Sequence, residues 1–419
     1  MRRGANMGIL NIDHPDIKRF IHCKDKDGTI TNFNISIGVF DDFMKRVKAD
    51  PNGEEAALLA EIADSAWRTG DPGIVFLDAI NRGNTTPALG DLMSTNPCGE
   101  SPLYPNEACN LGSINIAKMV KNGAFDFELL DRVTAVATRF LDDVIDVNHY
   151  PLPEISAAVR LTRKIGLGVM GLADLFYQLR IPYDSEEARS LAGEIMGRIQ
   201  SKAHEVSAER GRDKGIPEDL KHLGRRNATL TCIAPTGTIA LLANCSSGIE
   251  PLFALEHTRV RTQIDGKKVV MKQVNQYYEQ ALKEGLSDKI IKEVFVTSHD
   301  VSPSAHVRMQ GVFQKYTDLA VSKTINMAHN CTVSDVLDAY ILAWEEGCKG
   351  ITVYRDGSKS AQVLYRKEDE KKAEDLSTEQ KAPAPERTAE RELVTVPAGR
   401  PSSMAEAVAA RRFVLKRPD

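Results

Sequence analysis

Phe33, Ile35, Ile37 and Val39 alternate with Asn34, Ser36 and Gly38, and this period of two predicts a β-strand. Before it, Asp13-His14-Pro-Asp-Ile-Lys-Arg-Phe-Ile21 predicts a helix start with an apolar face, His14 being a turn residue ahead of proline. The polar run Lys24-Asp-Lys-Asp-Gly-Thr-Ile-Thr-Asn32 predicts a loop. Helical spacing over residues 56–67 stops at Asp71-Pro-Gly73, and the short apolar run Ile74-Val-Phe-Leu77 predicts a buried strand. Leu129, Val133, Val136, Phe140 and Val144 recur every three or four positions and predict an amphipathic helix ending near Asp146, with those residues inward. Asp142, Asp143 and Asp146 then fall on a solvated helix face, a commoner arrangement than a metal cluster. A polar-faced helical region follows over 185–225. Val336, Ala339, Tyr340 and Ala343 predict a packed helix face ahead of a strand at 351–354.

After Leu364 the pattern fails. Residues 366–392 are dominated by Lys, Glu, Asp, Ala and Pro, which predicts a disordered charged linker. Ser403-Met-Ala-Glu406 resembles a capping box opening a short helix to about Phe413. The organisation read here is one domain over 1–364, a linker over 365–402, and a short helix with the start of a further segment over 403–419.

Of the 419 residues 42% are apolar, enough to bury a sizeable core. A net charge of −4 provides no broad basic surface and argues against nucleic acid as the partner. No apolar run reaches membrane-spanning length and no signal peptide is visible, so no membrane role is expected. The seven cysteines are scattered without a C-x-x-C pair, which argues against zinc and against a secreted disulfide framework. A reducing cytoplasm fits best.

Chemistry concentrates at Thr95-Asn96-Pro97-Cys98-Gly99-Glu100. Pro97 fixes one backbone angle and Gly99 frees another, so a tight turn is expected, with Asn96, Cys98 and Glu100 projecting to one side. A buried free cysteine in a satisfied turn is the bland alternative. Gly166-Leu-Gly-Val-Met-Gly171 has dinucleotide spacing without the acidic residue or the βαβ context, so its glycines read as close packing. Pro235-Thr236-Gly237-Thr238 ends a β-branched run and opens an apolar helix. Free N–H groups at a helix start and two threonine hydroxyls make an anion cradle there, although threonines also cap helices for structural reasons alone. His306 is the histidine nearest to a role beside a cofactor, against a hydrogen-bonded structural histidine.

The run Asn96-Pro-Cys-Gly-Glu100 with Glu107-Ala-Cys-Asn-Leu-Gly-Ser-Ile-Asn115 closely resembles the active-site signature of the adenosylcobalamin-dependent (class II) ribonucleotide reductases. Ile165-Gly-Leu-Gly-Val-Met-Gly-Leu-Ala-Asp174, Pro235-Thr-Gly-Thr238 and Lys349-Gly-Ile-Thr-Val-Tyr-Arg-Asp-Gly-Ser358 are similar to stretches of that family in the same order. The resemblance implies a ten-stranded α/β barrel with the cysteine loop at its centre. It implies that Cys98 is a thiyl-radical cysteine, that Asn96 and Glu100 hold and deprotonate the ribose, and that Cys109 is half of a redox dithiol. It implies substrate phosphates on Pro235, Thr236, Gly237 and Thr238, and an effector-reading loop over Lys24, Asp25, Lys26, Asp27 and Gly28. Adenosylcobalamin is the implied cofactor. A ribonucleotide substrate, a deoxynucleotide or ATP effector and a thioredoxin-like reductant are the implied partners.

Residues 2–364 carry the resemblance, and family members have several hundred residues before the point matching Arg2, including the first barrel strands and the cysteine that pairs with Cys109. The expectation is therefore an incomplete barrel that works with an N-terminal partner fragment or as a homodimer. A non-catalytic nucleotide-binding remnant is the alternative.

Overall fold

In the computed structural model, residues 4–26, 30–262, 268–358 and 365–366 are described, the side chains of 257–273 and 365–366 excepted. The linker and the terminal helix expected beyond residue 366 lie outside the described residues. Tyr365 and Arg366 pair with Thr258 and His257, so ordered pairing reaches two residues into the stretch expected to be a linker.

The Phe33–Val39 strand forms where the alternation placed it, yet Ile35 to Val39 are all buried, not every second residue. The reason is its position. It lies inside a five-stranded sheet in the order Asn6–Asn11, Phe33–Val39, Gly73–Phe76, Gly350–Arg355, Thr324–Met327. The first three strands run parallel, as do the last two, and Gly73–Phe76 meets Gly350–Arg355 antiparallel. Strands of a parallel sheet covered on both faces lose the polar face that makes alternation visible.

The sheet continues beyond Thr324–Met327. Val321 bridges Ile233 and Thr231 bridges Leu167, both in parallel sense. Leu167 belongs to the Ile165–Met170 strand, which pairs in parallel with Asn110–Asn115. The succession runs from Asn6–Asn11 to Asn110–Asn115, and each of these two strands has a strand partner on one side only among the described residues. Gly166 and Gly168 are required by close approach: a Cβ on Gly168 would stand 2.1 Å from the Cys232 carbonyl oxygen, and one on Gly166 2.6 Å from the Cys232 sulfur. Packing, not nucleotide binding, explains these glycines.

Helices cover the sheet in two apolar clusters. One gathers Ile37, Leu59, Ile62, Ile74, Tyr340 and Ile351 under helices Glu54–Thr69 and Val333–Glu345. The other gathers Leu130, Leu141, Leu167, Val169, Ile195 and Phe313 under Phe127–Val147, Glu186–Lys214 and Pro303–Lys315. Val336, Ala339, Tyr340 and Ala343 are inward as expected.

Helix Phe127–Val147 forms with its buried face turned from its apolar stripe, of which Leu129, Val133 and Val144 are half-buried and Leu129 and Val133 pack on the second cluster. Its buried positions are Leu130, Thr134, Thr138, Leu141, Asp142 and Ile145, while Val136 and Phe140 are each 65% exposed. The polar inward face is satisfied internally. Thr138 Oγ1 donates to the Thr134 carbonyl at 2.8 Å. Asp142 accepts from Arg163 (2.7 Å), Arg210 (2.6 Å), Arg226 (3.1 Å) and Asn227 (3.0 Å). Asp142 is thus the fully buried centre of an ion network, which corrects its reading as part of a solvated face. Its neighbours Asp143 and Asp146 are held by the same cations, Asp143 also by Lys214. These arginines are the counter-charges of the cluster, so a metal ion is not needed to balance it.

Candidate active site

The signature folds as a hairpin. Ser94 and Thr95 pair antiparallel with Leu103 and Pro102, the Gly99 N–H donates to the Asn96 carbonyl at 3.0 Å, and Gly99 sits at φ +82°, where only glycine is unstrained. The Ser101 N–H donates to Asn96 Oδ1 at 3.0 Å, so the Asn96 amide braces the turn. Two bonds pin the tip to the sheet from either side. Asn34 Nδ2 donates to the Pro97 carbonyl (2.6 Å), and the Ala320 N–H donates to the Glu100 carbonyl (2.8 Å).

The turn separates the environments of residues expected on one face. Cys98 is exposed, whereas Glu100 is 3% exposed. Burial lifts the Glu100 carboxyl above the usual range, and the Asn96 amide hydrogen-bonded to it offsets this only in part. Its Oε2 has no hydrogen-bond partner. Burial and the Glu100 charge both push the Cys98 thiol up. Cys98 closes a cavity of ≈ 130 Å³ with Asn34, Ser36, Val321, Lys323, Ile351 and Thr352, strand residues from both directions of the sheet. Among the described residues, no tyrosine or tryptophan lines that cavity.

Cys109 lies one residue before the first rung of the Asn110–Asn115 and Ile165–Met170 pairing, half-buried, its Sγ donating to the Asn110 carbonyl at 3.6 Å. Burial pushes its thiol far up, opposed by the Lys164 charge and reinforced by Glu107 and Glu100. Cys232, to which the sequence reading gave no role, is buried within electrostatic reach of both Cys109 and Glu100. The signal for it was the Gly166 and Gly168 pair, whose missing side chains make its room.

At the second motif, helix Gly237–Ala243 starts after Thr236, which is in the left-handed region. Thr236 is 8% exposed and its Oγ1 accepts the Gly248 N–H at 2.6 Å. Ser247 Oγ donates to the Pro235 carbonyl, which leaves it to accept from Thr236 Oγ1 at 3.2 Å. The Thr236 hydroxyl is therefore engaged in clamping the 246–248 loop. Pro235, Gly237 and Thr238 are exposed. The same loop carries Glu250, which accepts from Lys323 Nζ and from the Thr324 N–H (2.7 Å), tying it to the strand beside the Cys98 cavity.

In the 24–28 loop, Lys24 donates to the Phe33 carbonyl (2.8 Å) and meets Asp71 (3.1 Å), and Asp25 meets Arg68 (3.3 Å). Lys26 is exposed, and Asp27 and Gly28 lie outside the described residues. His306 is fully buried with Nε2 at 2.9 Å from the Ser298 carbonyl, and burial and the Lys323 charge hold it well below the usual histidine range. Its buried Nδ1 has no hydrogen-bond partner among the described residues.

A sheet of parallel halves that meet antiparallel, with a cysteine-bearing hairpin pinned between them, defines an α/β protein whose candidate chemistry sits on a loop and not at strand ends. The family profile described as ribonucleotide reductase, barrel domain, matches residues 1–57, 52–219 and 215–354, and the chain belongs to this family. It is 44% identical over 412 residues to the vitamin B12-dependent ribonucleoside-diphosphate reductase of Thermoplasma acidophilum, covering 87% of this chain and 52% of that protein. It is 42% identical over 405 residues to the protein of the same name from Mycobacterium tuberculosis (strain H37Rv), covering 87% and 57%. The chain thus spans about half the length of the curated relatives it matches. Among solved structures, it resembles the alpha subunit of the Actinobacillus ureae class Id ribonucleotide reductase with a TM-score of 0.72 at 25% identity, over 85% of this chain and 71% of that one. No helix among the described residues is long and apolar enough to cross a membrane.

Proposed function

We propose that this chain carries the thiol site of an adenosylcobalamin-dependent ribonucleotide reductase acting on ribonucleoside diphosphates. The observation that carries the reading is the hairpin tip: an exposed thiol facing a cavity, beside a buried carboxyl with a free oxygen braced by an amide. Cys98 as a thiyl radical takes a hydrogen atom from the ribose. Glu100 accepts the proton of the neighbouring hydroxyl through the oxygen left without a partner, while Asn96 holds turn and carboxyl together. Cys109 and a second thiol supply two electrons and become a disulfide, which a thioredoxin-like dithiol reduces again.

The residues around Cys98 fit a cofactor that reaches the thiol directly, because the sulfur is exposed and borders a cavity. When bound, adenosylcobalamin supplies the one-electron oxidation of that thiol. Exposed Thr238 and the first N–H groups of its helix receive the substrate phosphates, and Lys24, Asp25 and Lys26 belong to the effector-reading loop. We read the five-stranded sheet, the 229–233 segment and the two strands beyond it as eight strands of a ten-stranded barrel, a reading supported by the parallel bridges that link them. Two further strands of such a barrel would cover the edges at Asn6–Asn11 and Asn110–Asn115. A non-catalytic remnant would have no use for an unpaired buried carboxyl beside an exposed thiol.

The test is Cys98→Ser in the assembled enzyme with nucleoside diphosphate, cofactor and dithiol. Deoxynucleotide formation is expected to vanish, and substantial residual turnover would overturn the assignment. Cys109→Ala is expected to retain hydrogen exchange with the cofactor while losing multiple turnover.

A further inference from the structure

Lys164 and Glu107 take no part in the steps above, yet both side chains are 2% exposed and meet at 2.8 Å. Charges removed from water persist only when closely held. Here Glu107 Oε1 accepts from Thr162 Oγ1 at 2.5 Å and Oε2 accepts the Tyr104 N–H at 2.7 Å. The Lys164 ammonium stands 4.6 Å from the centre of the Tyr104 ring. Glu107 is two residues before Cys109. Asn110 pairs with Ile165, so Cys109 and Lys164 occupy matching places one step before that rung. The groups that act on the Cys109 thiol are Lys164, Glu107 and Glu100, with the Cys232 thiol also in reach. Lys349, donating to the Asp318 and Leu319 carbonyls, is the next cation and acts on Lys164.

We propose that Lys164 is a positioning residue for Cys109: its ammonium, tethered by Glu107, sets how readily the thiol gives up its proton, and Glu107 restrains that influence. The pair works as a balance. Thiol and disulfide exchange needs the thiolate, whereas hydrogen donation needs the intact thiol. Burial keeps Cys109 protonated at rest, and a cation whose charge is largely answered by its own carboxylate leaves a counter-charge in place for the moment of exchange. The purpose rests on the reading of Cys109 as an exchange thiol, but the electrostatic relation does not.

The experiment is alkylation of the full 419-residue chain with iodoacetamide, without nucleotide or cofactor, across neutral to alkaline pH. In it the Cys109 thiolate forms the S–C bond, iodide leaves and the thiol proton goes to solvent. Modification is quantified at the Cys109 peptide, with Cys331 as the internal reference. Where a thiol is mostly protonated, each unit of its pKa changes the thiolate fraction about tenfold. Lys164→Met is expected to slow alkylation at least about threefold and Glu107→Gln to speed it by about as much, with Lys164→Arg within about twofold of the parent. A merely structural pair predicts faster alkylation in both charge-removing variants, because both loosen the packing around Tyr104. Equal direction, or no change, overturns the proposal. Should buried Cys232 become reactive in a single variant, Lys164→Met/Glu107→Gln decides: a rate between the two singles supports the balance, and one as fast as Glu107→Gln overturns it. No turnover enters this measurement, so it fails separately from the reductase reading.

Discussion

Cys98 and Glu100 stand two residues apart on one hairpin tip, the thiol exposed and the carboxyl 3% exposed. The turn at Gly99 divides them. A radical thiol has to be reached, while a base for a ribose hydroxyl gains from being dry, since burial raises its affinity for the proton it must take. Backbone geometry alone delivers both conditions.

Glu100→Gln tests the cost of that arrangement. The folded-state pKa is raised, so the carboxyl binds its proton more tightly folded than unfolded; the favourable contribution is complete below the unfolded value and is lost as pH rises through the folded one. The variant is therefore expected to be more stable than the parent at neutral pH, by on the order of 1 kcal/mol for an unpaired buried oxygen, and indistinguishable from it below about pH 4. Melting temperatures across pH check this, and a variant less stable at neutral pH would count against it. Turnover should vanish in the same protein.

Asp142 and Asp143 are adjacent in sequence and opposite in consequence. Asp142→Asn leaves Arg163, Arg210 and Arg226 without their buried partner and is expected to cost about 3–5 kcal/mol, against about 0–1 kcal/mol for half-exposed Asp143→Asn. The Asp142 carboxyl is held below its usual range by Arg210 and Arg163 despite the opposing effect of burial. Its stabilisation is therefore present above the unfolded pKa and lost as pH falls through the depressed folded value, so the difference should persist at neutral pH and shrink only below about pH 4. Denaturant midpoints at neutral and acid pH measure both statements.

That network also marks where sequence legibility ended. The strands at 33–39 and 351–354, the inward face of 333–345 and the tight turn at Cys98 were readable because periodicity and turn chemistry are local. The phase of Phe127–Val147 was not. Its stripe of Val136 and Phe140 faces out, and its threonines and Asp142 face in, because arginines from three distant segments converge there. The same limit hid Lys164 and Cys232 around Cys109, since nothing nearby in sequence announces a partner dozens of residues away.

Thr236 and Thr238 should now separate. Thr236→Val removes the hydroxyl that clamps Gly248 and Ser247, so it is expected to lower stability by about 1–3 kcal/mol and to weaken nucleoside and nucleoside diphosphate alike. Thr238→Val, at an exposed position, is expected to weaken the diphosphate and not the nucleoside, by about ten- to a hundredfold for a hydrogen bond to a charged group. Calorimetric titration of both ligands checks the split.

The last expectation concerns the Asn110–Asn115 edge. This strand is paired on one side only among the described residues, and Leu111 (38% exposed) shares an apolar hollow with Ile114, Val133 and Phe140. Phe140 is 65% exposed on the helix that covers this edge, and Val147 on the same helix is 82% exposed. Unpaired backbone donors beside exposed apolar rings recruit further strands, whether from a partner segment or from another copy of the chain. The 419-residue chain by itself is therefore expected to self-associate. Phe140→Glu should suppress that association: burying a phenylalanine is worth about 1.5–3 kcal/mol, so its loss weakens a contact by about ten- to a hundredfold. Sedimentation velocity of parent and variant measures it. A Phe140→Glu chain that associates as the parent does would show that this face takes no part, and would move the search for the contact to the other open edge at Asn6–Asn11.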